Sequence, residues 1–240
     1  MVLVFLAGVA GCILKNIEFN TVLKNAVIVE ENSTVTLALG GLTVVVLIVS
    51  AAFSFFVSKN WSSTSAGISV SKILAVVSAV LIIAGAVMYY LENRNYLLPE
   101  TIVFILFALF AGFGVFYMGS GKGPEDGLMR ILCVVPSIFC CIWLVLIYKE
   151  YATEPQLIKF VYNCLAAAAQ TMAFYYISGF FYKRYNRGRG VFACLLGIYF
   201  SILVIGTARG IWEMLIIAGL AISIGNCLLG IICRKEDKIQ

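Results

Sequence analysis

Apolar residues along this chain come in blocks about twenty residues long, separated by short polar stretches. Residues 35–57, 73–91, 101–118, 128–148, 157–182, 191–208 and 211–233 form seven such blocks. Each is long enough, at about 1.5 Å rise per residue, to cross a hydrocarbon core about 30 Å thick as a helix. An eighth block, residues 1–14, is short for a crossing and lacks the basic region that precedes a signal-peptide core. Val9-Ala10-Gly11-Cys12 resembles a lipoprotein cleavage box, but a chance match of small residues is the plainer account. The first block is read as a short helix, with crossing, cleavage and a truncated start left open. The expected fold is all-α: a polytopic transmembrane bundle of about eight helices, one domain over residues 1–240, both termini cytoplasmic.

The block from Leu157 to Tyr182 sets the orientation. It carries no charge but Lys159 and ends on Lys183, Arg184, Arg187 and Arg189. Short cytoplasmic loops hold an excess of Lys and Arg, so this cluster is the expected cytoplasmic anchor. Alternation then puts Lys59, Lys72, Lys122, Arg130, Arg234, Lys235 and Lys238 on the same side. Lys15, Lys24, Arg94, Lys149, Lys159 and Arg209 fall on the other, making eleven against six of the chain's 17 basic residues.

Prolines support the borders. Pro99, Pro124 and Pro155 each stand at or just before a predicted helix start, beside Glu100, Glu125 and Glu154. Proline suits the first helical turn, where its missing N–H would be unpaired, and a carboxylate there meets the positive end of the helix dipole. Pro136 lies inside the fifth block, where it should kink the helix and free the Leu132 carbonyl, with Ser137 or a neighbouring helix as substitute donor.

Composition agrees: 62% of residues are hydrophobic and 12% charged, about half the charged share of a soluble domain. The net charge of +5 sits in short loops between apolar blocks, so topology and anionic lipid head groups explain it and nucleic acid is not an expected partner. The eight cysteines lie in or at the ends of apolar blocks, without a CxxC pair or any histidine, and read as small apolar filler. No metal or cofactor is expected.

Candidate chemistry is sparse. Ionisable residues inside a membrane are functional by default, and blocks two to eight hold none at mid-depth. That weighs against ion-coupled carriers, and against intramembrane proteases that need paired aspartates or His-bearing metal motifs. Gly121-Lys122 lacks the preceding glycine and following Ser or Thr of a phosphate loop. The best candidate is a polar face on the sixth block: Asn163, Gln170 and Ser178, in line with Ala167 and Phe174. Ala166, Ala169 and Ala173 form an adjoining stripe. Packing glue between helices is the favoured account, and the wall of a polar cavity is the functional one. Arg209 and Glu213, spaced i, i+4, read as an interfacial ion pair. Gly206 and Gly210, and Ala221 and Gly225, match small-xxx-small contacts for the last hairpin or a dimer.

The segment PQLIKFVYNCLAAAAQTMAFYYISGFFYKRYNRGRG, through Tyr162, the alanine run, Tyr175-Tyr176 and Gly179-Phe180, resembles a pattern in uncharacterised small polytopic membrane proteins of Gram-positive bacteria. That resemblance implies a bacterial plasma membrane and no activity. The functional expectation is a non-enzymatic membrane protein, a scaffold or accessory subunit. The alternative is a permease or substrate-binding component for a small, mostly uncharged solute. Expected partners are the lipid bilayer, with anionic head groups at residues 183–190, and a membrane protein or a second copy.

Overall fold

The computed structural model describes residues 2–25, 34–60, 70–94, 98–120, 126–151, 161–182, 184 and 186–233. Within them the chain forms α1 (Val2–Asn25), α2 (Thr34–Asn60), α3 (Lys72–Asn93), α4 (Pro99–Met118), α5 (Gly127–Leu132), α6 (Val135–Tyr151), α7 (Val161–Phe181), α8 (Arg187–Ile205) and α9 (Ile211–Cys233). No strand occurs among the described residues. Seven helical segments, with α5 and α6 counted as one, are long and apolar enough to cross a membrane, and α1 adds a shorter apolar stretch, Leu3–Ile17. The protein is a multi-pass helical membrane bundle. Lys183, Trp61, Gly121-Lys122, Pro124, Pro155 and the basic tail from Arg234 lie outside the described residues.

Six crossing segments close into a ring. α3 packs on α4, α4 on α6, α6 on α7, α7 on α8, α8 on α9, and α9 returns to α3. α1 and α2 pack on each other and on α8, outside that ring. Aromatic side chains fill the middle at one end. Tyr89 of α3 meets Phe104 of α4 with ring centroids 4.8 Å apart and Trp212 of α9 at 4.5 Å. Phe104 also contacts Phe139 of α6 at 5.3 Å and reaches across to Trp212 at 6.1 Å.

The most extensive crossing joins α3 to α9 and depends on two glycines. A Cβ on Gly85 would lie 2.8 Å from the Trp212 carbonyl oxygen, and one on Gly219 would lie 2.8 Å from that of Ser78. Only hydrogen leaves room for backbones this close. The small-xxx-small pairs behave differently. Gly206 caps α8 and faces Cys12 of α1, and Gly210 lies in the following turn, so this pair does not form one helical stripe. Gly225 faces Ile198 of α8 at ordinary contact distance, within the last hairpin.

Local chemistry sets the borders. Pro99 is the first residue of α4, with Glu100 in its first turn. Asp126 caps α5 by accepting from the Leu128 N–H at 3.1 Å, and also accepts from the Tyr117 hydroxyl at 2.9 Å. The fifth block is broken between Leu132 and Val135, so that Pro136 stands in the first turn of α6. The Leu132 carbonyl oxygen lies beside Gly114 of α4, 2.6 Å from where a Cβ would stand. Ser137 does not serve Leu132; its hydroxyl donates to the Thr171 carbonyl of α7 at 3.2 Å.

Two borders differ from the sequence expectation. α1 continues to Asn25, so Lys15 is a helical residue and not part of an outer loop. α8 begins at Arg187, so Arg187 and Arg189 stand in its first turn and not in a free loop. Asn186 makes this start favourable, its side-chain oxygen accepting from the Arg189 N–H at 3.3 Å.

Candidate functional site

The polar face of α7 points into the protein: Asn163, Gln170 and Ser178 are all buried, as are Ala167 and Phe174. The neighbouring alanines accept α8 closely, with Ala173 Cβ 3.4 Å and the Ala169 carbonyl oxygen 3.6 Å from a Cβ built on Gly197. Gln170 Nε2 donates to Ser201 Oγ of α8 at 2.8 Å. Gln170 Oε1 is buried without a hydrogen-bond partner. Ser178 Oγ donates to the Tyr175 carbonyl of its own helix at 2.7 Å.

Asn163 Oδ1 accepts from Lys15 Nζ at 3.0 Å, and Lys15 is 4% exposed. The ammonium also lies 5.4 Å from the Tyr162 ring centroid, within cation–π range. The structure thus ties α1 to α7 through a buried cation that the hydropathy pattern had assigned to a loop.

The expected Arg209–Glu213 ion pair forms at the start of α9, with Glu213 fully buried. Its carboxylate accepts the Arg209 backbone N–H at 2.7 Å, and Arg209 Nε and Nη2 approach it at 3.4 Å. The Arg209 guanidinium lies 5.5 Å from the Trp212 ring centroid, next to the aromatic cluster. The carboxylate therefore fixes the α8–α9 turn. At the opposite end, the Asn226 side chain of α9 brackets Ser71 before α3. Its Oδ1 accepts from the Ser71 N–H at 3.0 Å and its Nδ2 donates to the Ser71 carbonyl at 2.9 Å. Sequence reading missed Asn226, because one amide on an apolar helix gives no sign of its partner.

The basic end of α7 opens into a cavity. After Phe181 the chain folds back, the Arg184 N–H donating to the Gly179 carbonyl at 3.0 Å. Gly179 allows it, since a Cβ there would lie 2.9 Å from the Arg184 carbonyl oxygen. The Tyr182 hydroxyl donates to the Arg130 carbonyl at 3.1 Å, joining this turn to α5. A cavity of about 890 Å³ results, with Tyr175, Tyr176, Tyr182, Arg184, Asn186 and Arg189 in its wall. Val134, at the α5–α6 break, forms its floor together with Ser178 and Gly179. Of the four basic residues singled out in sequence, Arg184 and Arg189 line this cavity, and Arg187 is half-buried beside it in sequence.

Among the described residues, no group of three His, Cys, Asp or Glu side chains could hold a metal ion. Cys12, Cys133, Cys140, Cys141, Cys164, Cys194 and Cys227 are free thiols. The chain matches no protein family, no curated protein and no solved structure.

Proposed function

We propose that this integral membrane protein is non-enzymatic and serves as a scaffold or accessory subunit in a bacterial plasma membrane. The observation that carries this reading is the aromatic packing inside the ring, where Phe104 of α4 meets Trp212 of α9. A solute pathway between the ring helices would have to displace these side chains. The polar face of α7 fits the same reading, because Asn163 and Gln170 spend hydrogen bonds on α1 and α8. Copurification in mild detergent tests it: a stoichiometric membrane protein partner or a second copy is expected. A bound uncharged solute that is lost in a stably folded Gln170→Leu variant would overturn the scaffold reading in favour of a permease component.

In the proposed topology the end bearing Arg184, Arg187 and Arg189 faces the cytoplasm. Arg184 and Arg94 are both exposed and stand at opposite ends. In a background without native cysteines, Arg94→Cys should react with an impermeant thiol reagent in intact cells and Arg184→Cys should be protected. The reverse pattern inverts the topology.

A further inference from the structure

We infer that the cavity between the α5–α6 break, the end of α7 and the start of α8 binds the phosphate group of an acidic phospholipid. Among the described residues its charged lining residues are Arg184 and Arg189, both cationic and both exposed. Guanidinium groups present forked N–H donors that match phosphate oxygens. Ser178 and Asn186 add neutral polar groups to the same wall. At about 890 Å³ the cavity is in the size range of small-molecule sites, about 300–1,000 Å³.

The shape distinguishes a lipid from a free anion. From Tyr182 to Tyr175 the lining runs back along the end of α7 for seven residues, about 10 Å at helical rise, with Arg184 folded back beside Gly179. It therefore passes from the basic end of the bundle into the depth of the apolar crossing. Tyr175 at the deep end is 65% exposed on a membrane-crossing helix, and its ring packs edge-on to Tyr176 at 5.4 Å. Val134 continues this apolar side. A ligand that fills the cavity has an anionic head between the arginines and an apolar stem along the tyrosines. Inorganic phosphate would use only the first part.

The walls are held in place. Tyr182 is bonded to Arg130, the Arg184 backbone to Gly179, and Asn186 caps α8. α6 is joined to α7 just below through Ser137 and Thr171. The helix break at Cys133–Val134 places Val134 in the cavity wall.

The test is native mass spectrometry of the full chain in detergent, titrated with phosphatidylglycerol or with phosphatidylcholine of the same acyl chains. Selective retention of phosphatidylglycerol is expected. Arg184→Gln/Arg189→Gln should weaken it about thirtyfold, since each basic residue near a membrane surface contributes about fivefold. Arg94→Gln/Lys149→Gln, at the other end, should leave it unchanged. Equal retention of the two lipids, or equal retention by wild type and the Arg184/Arg189 variant, overturns the proposal. Displacement of phosphatidylglycerol by millimolar inorganic phosphate overturns the lipid assignment and leaves a soluble phosphate anion as the ligand. Should the double variant fail to fold, wild-type protein can be crosslinked with a photoreactive phosphatidylglycerol and the adduct mapped by peptide. Labelling between residues 175 and 189 supports the site, and labelling confined elsewhere overturns it.

Discussion

α2 and α8 are similar in hydropathy, 2.4 and 2.0 over their most apolar stretches, yet 17% of the first and 67% of the second is buried in the protein. Glycines show the same contrast. Gly40 and Gly41 on α2 have nothing within 4 Å of a built Cβ, whereas Gly197 on α8 faces Ala173, Ala169 and Ile224. α8 is shared by the six-helix ring and the α1–α2 pair, and α2 packs chiefly on α1 and α8. Polar links between α2 and α8 are few: Thr43 Oγ1 lies 3.2 Å from the Tyr199 hydroxyl, and Ser54 Oγ donates to the Gly188 carbonyl at 2.5 Å. In lipid, apolarity drives a helix into the membrane but does not draw it to another helix. Close approach and hydrogen bonds decide the neighbours.

The largest expected effect comes from filling the α3–α9 crossing. Gly219→Leu on α9 sets a side chain against the Ser78 carbonyl and should cost about 3 kcal/mol, read as a lowered melting temperature in detergent. The matched change on the outer pair, Gly41→Leu, should shift stability by less than about 0.5 kcal/mol. Equal melting of the two variants would break the distinction between ring and outer pair.

The joint between them comes next. Asn163→Leu removes one acceptor of the buried Lys15 ammonium and should cost about 2 kcal/mol, within the range for hydrogen bonds to charged groups. Loosening should concentrate in α1, so faster hydrogen exchange there than in α9 would sharpen the picture. Uniform destabilisation would show that α1 unfolds only with the ring.

Gln170→Leu should have the smallest measurable effect inside the ring, below about 1 kcal/mol. It loses one bond to Ser201 but also removes a buried amide oxygen that has no partner. A loss as large as that of Asn163→Leu would mean that Oε1 is satisfied in the membrane by a group such as an ordered water.

Much of the architecture was legible because each crossing is a local property. A run of twenty apolar residues is helical in lipid wherever its neighbours lie, since every backbone group must be satisfied within the segment. α9 covers the same residues as the last apolar block, Ile211 to Cys233. Pro136 was readable for the same reason: its ring and missing N–H act on the preceding turn. The inward polarity of α7 could be seen in the spacing of Asn163, Gln170 and Ser178, but not the identity of their partners.

The amino-acid sequence by itself determined the seven crossing helices, their order and the break before Pro136, since these follow from local hydropathy and backbone chemistry. Tertiary structure alone decided that α3 returns to α9, that Gly85 and Gly219 meet backbone, and that Lys15 enters the interior beside Asn163. It also brought Tyr175, Arg184 and Arg189 around one cavity. The reason is physical: lipid and protein interior are almost equally apolar, so hydropathy cannot tell one from the other. Steric fit and polar bonds between residues far apart in the chain make that choice.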